Sequence, residues 1–396
     1  LTFFSPTRPC CAVKISFTNS ILVTMTEILR ASLQAAVAPD KAEISQVKHL
    51  SSYNWIEAPT PTIVVPGAPA RWRPREGANR VSKDSGLQYI AQNAARHPEN
   101  PLEPLFRSLY AENPLFNLTD VDVITDRNNI RKLLAFASPE PNKKDVENFT
   151  IDVEIVKDTT IFCRAETATV RVIGPHEFRG HGHEFEKAYT VYAVPKSTGH
   201  HRVISYRFCG LKFIVRHETD GYVENLAKDD SGDDDVLRMM QDLALSSRPK
   251  TTTDYTPIGG SKLRIGKGGQ TVPLRSTLEI KTRTLRKPLP LSEVAAQLWA
   301  SQTPNLVRAY HDRGTFQKPQ VENVAARIRQ WEADNEPGLR KLAWLIRRIT
   351  ALAKECGGKA RVKYDANADK LVVSQDDGRR DMLPHDLYAK WNSGAA

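Results

Sequence analysis

Four acids and a lysine carry the chemistry this chain could perform. Two stretches hold most of them: Phe213–Val223 (FIVRHETDGYV) and Ser276–Arg283 (STLEIKTR). Each opens as an apolar, β-branched run typical of a strand. Each then alternates charge, with Glu218 and Asp220 in the first and Glu279 and Lys281 in the second. Residues two apart on a strand share a face, so neighbouring strands would aim these groups at one spot. Crowded carboxylates repel one another unless a cation lies between them. A hard divalent ion, Mg²⁺ or Mn²⁺, suits such oxygen ligands and leaves room for phosphate. Lys281 cannot be a ligand while protonated, but it can offset charge on a phosphoryl oxygen. Glu186 is a fourth acid, in the first turns of a helix expected to start near Gly182. Acids there also suit the helix dipole. Arg127 and Arg131, on the amphipathic helix RNNIRKLLAF, could touch phosphate or simply be solvated. The plain alternative for the acidic cluster is surface pairing, such as Glu218 with Lys281.

These groups need strands and helices to position them. Strands are expected at Val121–Thr125, Phe149–Val156 and Thr160–Cys163, with a hairpin around Cys209-Gly210. Helices are expected over Asp84–His97, Leu102–Tyr110, Arg127–Phe136, Ser292–Ala300, Val321–Asp334 and Gly338–Cys356; the last has apolar residues at 339, 342, 345, 346, 349 and 352. The order implies an α+β fold with a small mixed sheet flanked by helices. Residues 1–48 read as a leader or disordered segment. Residues 49–83 read as a proline-rich extended arm packing on the body, because Pro59, Pro61, Pro66, Pro69 and Pro74 argue against a central strand. Residues 84–391 read as one domain, with an acidic flexible insertion at 225–270.

The 396 residues carry 56 basic and 46 acidic side chains, a net charge of +10. That favours polyanionic partners, nucleic acid first. No apolar run is long enough to span a bilayer. Five cysteines without a CxxC pair suit a reducing compartment. The expected location is intracellular, nuclear or cytoplasmic, with a mitochondrial presequence the weaker reading. The histidines at 176, 181, 183, 200, 201 and 217 lack the spacing of a zinc site.

The chain resembles a family of filamentous-fungal proteins often labelled geranylgeranyl pyrophosphate synthetase. The shared stretches include HLSSYNWIEAPTPTI, TDRNNIRKLL, EFRGHGHEFEKAYT, STGHHRVISYR and LEIKTR. It also resembles, collinearly from about Val121 to Val373, the decapping exoribonuclease family of the Rai1/Dom3Z type. Arg127 matches that family's arginine motif. Gly182-His183-Glu184-Phe185-Glu186 matches its second motif, Glu218 and Asp220 its Glu-x-Asp, and Glu279, Lys281 and Thr282 its Glu-x-Lys-Thr. In WASQTPNLVRAYHDRGTF, Gln302 is the counterpart of the family's glutamine. His217 departs from the family, which has glycine there.

This second resemblance implies a restriction-endonuclease-like, PD-(D/E)XK core and a metal-dependent hydrolase acting on RNA 5′ ends. Glu186, Glu218, Asp220 and Glu279 would hold Mg²⁺ or Mn²⁺. Lys281, Glu186 and Gln302 would be catalytic, and Arg127 and Arg131 would bind substrate. A 5′→3′ exonuclease would be a protein partner. A non-catalytic RNA-binding or adaptor protein on the same fold is the alternative. Prenyl diphosphate synthesis is a third reading. It rests on Asp229, Asp230 and Asp233, a literal DDxxD, but the expected strands contradict its all-helical fold.

Overall fold

The computed structural model describes residues 25–35, 41–138, 147–224, 255–257, 260–376 and 378–392. Among them, two mixed β-sheets form the frame. The larger is twelve-stranded. Its spatial order runs Met25–Leu29, Lys370–Gln375, Lys359–Asp365, Phe149–Val156, Thr159–Ala165, Val123–Asp126, Leu211–Glu218, Ser197–Phe208, Ile44–Ile56, Thr62–Gly67, Arg264–Gly269 and Thr256–Pro257. The smaller sheet is built on Thr277–Thr284, which lies between Gly221–Tyr222 and a parallel strand, Asn305–Asp312.

The hairpin Ser197–Phe208 with Leu211–Glu218 sits inside the large sheet. Its turn residues, Cys209 and Gly210, have φ of 47° and 76°, as a two-residue turn that follows strand twist requires. This turn sets the register that places His201 opposite Glu218. Side chains of the hairpin alternate between two apolar layers. Ile204, Tyr206, Phe213 and Val215 pack under the helices Arg127–Ala137, Ser292–Ser301 and Glu336–Glu355. Val203 and Ile214 face the helix Glu103–Glu112 and the C-terminal Trp391. The long helix Glu336–Glu355 buries Leu339, Leu342, Leu345, Ile346, Ile349 and Leu352, the stripe its sequence period demands.

The change of sheet places the site. The chain leaves the large sheet at Glu218 and enters the small one at Gly221. The acids therefore stand at the junction of two large sheets, and not at the edge of one small sheet.

Several expectations are corrected. Residues 1–24 lie outside the described residues, but Met25–Leu29 is a strand paired with Lys370–Gln375. Residues 41–48 run into a 13-residue strand, Ile44–Ile56. Residues 49–83 are not an arm laid on the body, because Ile44–Ile56 and Thr62–Gly67 are interior strands of the large sheet. Pro66 is tolerated because pairing with Ile44–Ile56 reaches only Val64. Beyond it, the Asn54 side chain takes over: its Nδ2 donates to Ala68 O at 2.9 Å, and its Oδ1 accepts from Ala68 N at 2.7 Å. Of the expected insertion, residues 225–254 lie outside the described residues. Arg264–Gly269, however, is a strand parallel to Thr62–Gly67. Asp84–His97 is not one helix but a strand, Gly86–Tyr89, followed by a short helix, Gln92–Arg96.

Gly67 has φ of 66°, and a Cβ there would lie 2.0 Å from Asn54 Oδ1. The expected result for Gly67→Ala is a loss of at least about 1–3 kcal/mol, the range for overpacking. Urea unfolding checks it, and an unchanged midpoint would contradict the tight seal at Asn54.

Candidate metal and phosphate site

The strand Thr277–Thr284 turns Leu278 and Ile280 into an apolar layer with Phe185, Tyr189, Val307 and Phe316. Glu279 and Lys281 consequently face the other way. Glu279 is 1% exposed and held on every side. Gln297 and Lys281 both donate to its Oε1. Arg127 Nη1 donates to its Oε2 at 3.1 Å. Asp220 Oδ2 accepts from the Ile280 N–H at 2.8 Å, which locks the Glu-x-Asp segment to the Glu-x-Lys strand.

Glu186 rides on the helix Gly182–Tyr189. That helix is fixed at its start by Asp84, which accepts from the N–H groups of Gly182 at 2.9 Å and Glu184 at 3.0 Å. It is fixed on its inner face by Phe185, whose ring lies 4.1 Å from Tyr189 and 4.5 Å from Phe316. Arg127 opens its own helix directly after Asp126, and Asp126 is gripped by the buried Arg216. Glu186, Glu218, Asp220, Lys281, Arg127 and Arg131 all line one cavity of about 1000 Å³.

The electrostatics follow from crowding. Burial, and then the neighbouring Glu279, push the Asp220 carboxyl up to about 8. Burial and Asp220 raise Glu186 well above the carboxylate range. Glu218 opens into the cavity yet has protein around it, and burial raises it against the pull of Arg127. Burial opposes ionisation of Glu279 as well, but Lys281 and Arg127 hold it down to about 2. Burial pulls Lys281 down, while Glu279 and Asp220 more than restore its proton. One acid is thus firmly charged, and the others resist charging beside it.

The donor set fits a hard divalent ion. All four acids offer oxygen, and a cation would remove the repulsion that raises Asp220 and Glu186. Among the described residues, no group of three or more acids, histidines or cysteines is already converged on one metal position. Asp220 is turned to Ile280 N–H and Glu279 to its three donors. The histidines form no such group either.

Most of the residues singled out in the sequence meet here. Gln302 does not: it ends the helix Ser292–Ser301 with φ of 54°, and its Nε2 donates back to Trp299 O at 2.6 Å. Gln297, one turn earlier, reaches Glu279 instead. Its signal in sequence is a glutamine inside the buried face that also carries Val294, Leu298 and Ser301. Surface pairing of Glu218 with Lys281 is not observed; Lys281 pairs with the buried Glu279.

A pH effect follows for the metal-free protein. Asp220 has a folded pKa raised to about 8, well above an unfolded value of about 3.9. The folded state holds its proton longer, so stability falls as pH rises through that window. Asp220→Asn mimics the protonated acid and keeps an acceptor for Ile280 N–H. Its Tm should approach wild type near pH 4, close to the unfolded value, and exceed it clearly at pH 8.5. A difference independent of pH would contradict the crowding.

A family model described as a domain of unknown function, DUF8563, matches residues 27–390. The chain belongs to that family. No curated protein sequence is significantly similar to it. Solved structures are similar to this DUF8563 chain. Scheffersomyces stipitis Rai1, in complex with (3′-NADP)⁺ and calcium ion, is 14% identical with a TM-score of 0.58, covering 95% of this chain and 100% of that one. Candida albicans Rai1, in complex with pU5-Mn²⁺, is 10% identical with a TM-score of 0.54, over 93% and 99%. S. pombe Rai1 is 11% identical with a TM-score of 0.54, over 89% and 100%. At such identities the likeness is one of fold: the DUF8563 chain has the mixed α+β fold of these proteins.

Proposed function

We propose that this chain is a divalent-metal-dependent hydrolase of RNA 5′ ends, restriction-endonuclease-like in its catalytic core. The observation that carries this reading is the meeting of Glu186, Glu218 and Asp220 with Lys281 and Arg127 in one cavity, with Glu279 buried behind Lys281 and Arg127 and bonded to both. The fold shared with a Rai1 structure that holds pU5-Mn²⁺ supports it. Glu186, Glu218, Asp220 and Glu279 would hold Mg²⁺ or Mn²⁺. When bound, the ion neutralises the acids and supplies Lewis-acid polarisation at phosphorus. Lys281, kept cationic by Glu279 and Asp220, faces the charge that grows on the phosphoryl oxygens. Arg127 and Arg131 position the phosphate chain from one face of their helix. Gln297 orients Glu279.

The test is incubation of the purified protein with Mn²⁺ or Mg²⁺ and RNAs bearing a 5′ monophosphate, triphosphate, unmethylated cap or NAD. Metal-dependent release of a 5′ product from at least one of them is expected. RNA binding without release from any would favour the adaptor reading. One observation favours that second reading: Glu279 already has three side-chain donors. Prenyl synthesis draws no support from the site. Asp229, Asp230 and Asp233 lie outside the described residues, and the described fold is mixed rather than all-helical.

A further inference from the structure

The cavity that holds the acids has walls that neither a metal ion nor a phosphate would use. Tyr192 lines it, directly after the strand Thr190–Val191, which pairs with Arg71–Trp72. Tyr192 is 42% exposed. Protein nevertheless crowds it: burial, and then Glu218, Glu186 and Asp220, raise its hydroxyl well above the ordinary tyrosine value. A side chain both crowded and open to solvent stands in a concave wall. The three acids that act on the hydroxyl belong to the candidate metal site, so the ring stands beside the reacting groups. Other tyrosines are engaged. Tyr189 stacks on Phe185 with centroids 4.1 Å apart, and Tyr364 on Phe149 at 5.3 Å. Tyr388 donates its hydroxyl to Glu154 Oε1 at 2.7 Å. Among the described residues, no ring stacks on Tyr192 and no hydrogen bond holds its hydroxyl.

A second open apolar surface borders the same cavity. Gly86–Tyr89 and Val170–Ile173 form a two-stranded ribbon apart from both large sheets. Its cross-strand partners Leu87 and Val172 are 54% and 67% exposed, and such partners share a face. Leu87 and Tyr89 line the cavity. One exposed leucine needs no explanation. An exposed leucine and an open tyrosine ring in the cavity of the acids ask for an occupant with an apolar face. Phosphate is provided for elsewhere, by Arg127, Arg131 and Lys281 in that cavity. A nucleotide brings both parts at once, a phosphate for the cations and a base with a π-face for the ring.

We propose that Tyr192 is the platform on which the 5′-terminal nucleobase stacks, with Leu87 extending the apolar wall. The inference rests on the RNA 5′-end reading of the cavity and adds how the first nucleoside is held. The ring is accessible and breaks no hydrogen bond or stack when it takes a base. Stacking grips the face of the base and leaves its edge unread, so all four first bases are accepted. The platform places the first nucleoside while Arg127, Arg131 and Lys281 take its phosphate.

The experiment measures binding in Asp220→Ala/Glu279→Ala protein, so that turnover does not interfere. Three 5′-phosphorylated RNA hexamers are compared: intact, abasic at the first position, and abasic at the sixth as a control. The first-position abasic hexamer should bind roughly tenfold more weakly than the intact one, and the control should bind like the intact one. Adding Tyr192→Ala should weaken the intact hexamer by a similar factor and leave the first-position abasic hexamer unchanged, because ring and base act as a pair. Tyr192→Trp should restore the difference. Leu87→Ser should weaken the intact hexamer by a smaller factor. Changing the first base among adenine, guanine, cytosine and uracil should move affinity by less than about threefold. Equal affinity for the intact and first-position abasic hexamers would overturn the platform. So would a Tyr192→Ala loss that is the same for both, or a tenfold preference for one base. Equal affinity in a protein whose wild type hydrolyses RNA removes the platform alone. Failure to bind any hexamer removes the RNA reading and the platform with it. A base-dependent difference that needs Tyr192, in a protein whose wild type hydrolyses no RNA, keeps the platform and removes the hydrolase.

Discussion

Asp220→Ala combined with Glu279→Ala should abolish metal-dependent hydrolysis of RNA 5′ ends, by about 10³-fold or more. The size follows from what the two side chains hold. Glu279 is the one acid kept firmly ionised, at about 2, by Lys281 and Arg127. Asp220 ties the two acidic segments together through Ile280 N–H. Removing both takes away half of the proposed ligand set and leaves Lys281 without its main partner. RNA affinity should change far less, because Arg127, Arg131 and the far wall of the cavity remain. Initial rates and anisotropy on the same preparations check both halves. Activity within tenfold of wild type would contradict the assignment of these acids. The two single variants should each lose nearly as much as the double, since groups acting as a unit are strongly non-additive.

Arg216→Ala should give the largest loss of stability, about 3–5 kcal/mol, the range for stripping one partner from a buried ion pair. Arg216 is 2% exposed. Its Nε and Nη2 grip Asp126 at 2.6 and 2.9 Å, and its Nη1 donates to Pro101 O at 2.7 Å. Burial works against its charge, yet Asp126 keeps it above the ordinary arginine value. Alanine would leave Asp126 half-buried and unpaired at the start of the Arg127–Ala137 helix, beside the acidic cluster. Arg216→Lys keeps a charge but cannot form the fork, so it should fall between alanine and wild type. Urea unfolding measures the series. A loss below about 1 kcal/mol, the usual value of an exposed pair, would show that Asp126 is compensated elsewhere.

The site was more legible than the frame. Alternating charge on two apolar strands, Glu218-x-Asp220 and Glu279-x-Lys281, is a local pattern, and local patterns survive in sequence. The Cys209-Gly210 hairpin and the stripe on Glu336–Glu355 are local as well. Pairing between distant segments is not. Nothing within 49–83 tells that Thr62–Gly67 has a parallel partner at Arg264–Gly269, about two hundred positions on. The prolines there argue against an interior strand unless one sees Asn54 supplying the bonds that Pro66 cannot. Gln302 and Gln297 differ by five positions, and only the left-handed turn at Gln302 decides which of them reaches Glu279.

The central claim is that Glu186, Glu218, Asp220 and Glu279 act together as a site for a divalent ion. It is tested most directly by titrating Mn²⁺ into the purified protein and following free Mn²⁺ by its paramagnetic resonance signal. Wild type should remove Mn²⁺ from solution saturably, with Mg²⁺ competing. Asp220→Ala/Glu279→Ala should leave the signal where it stands in buffer. Equal uptake by both proteins, or no uptake by either, would contradict the metal site and the hydrolase built on it.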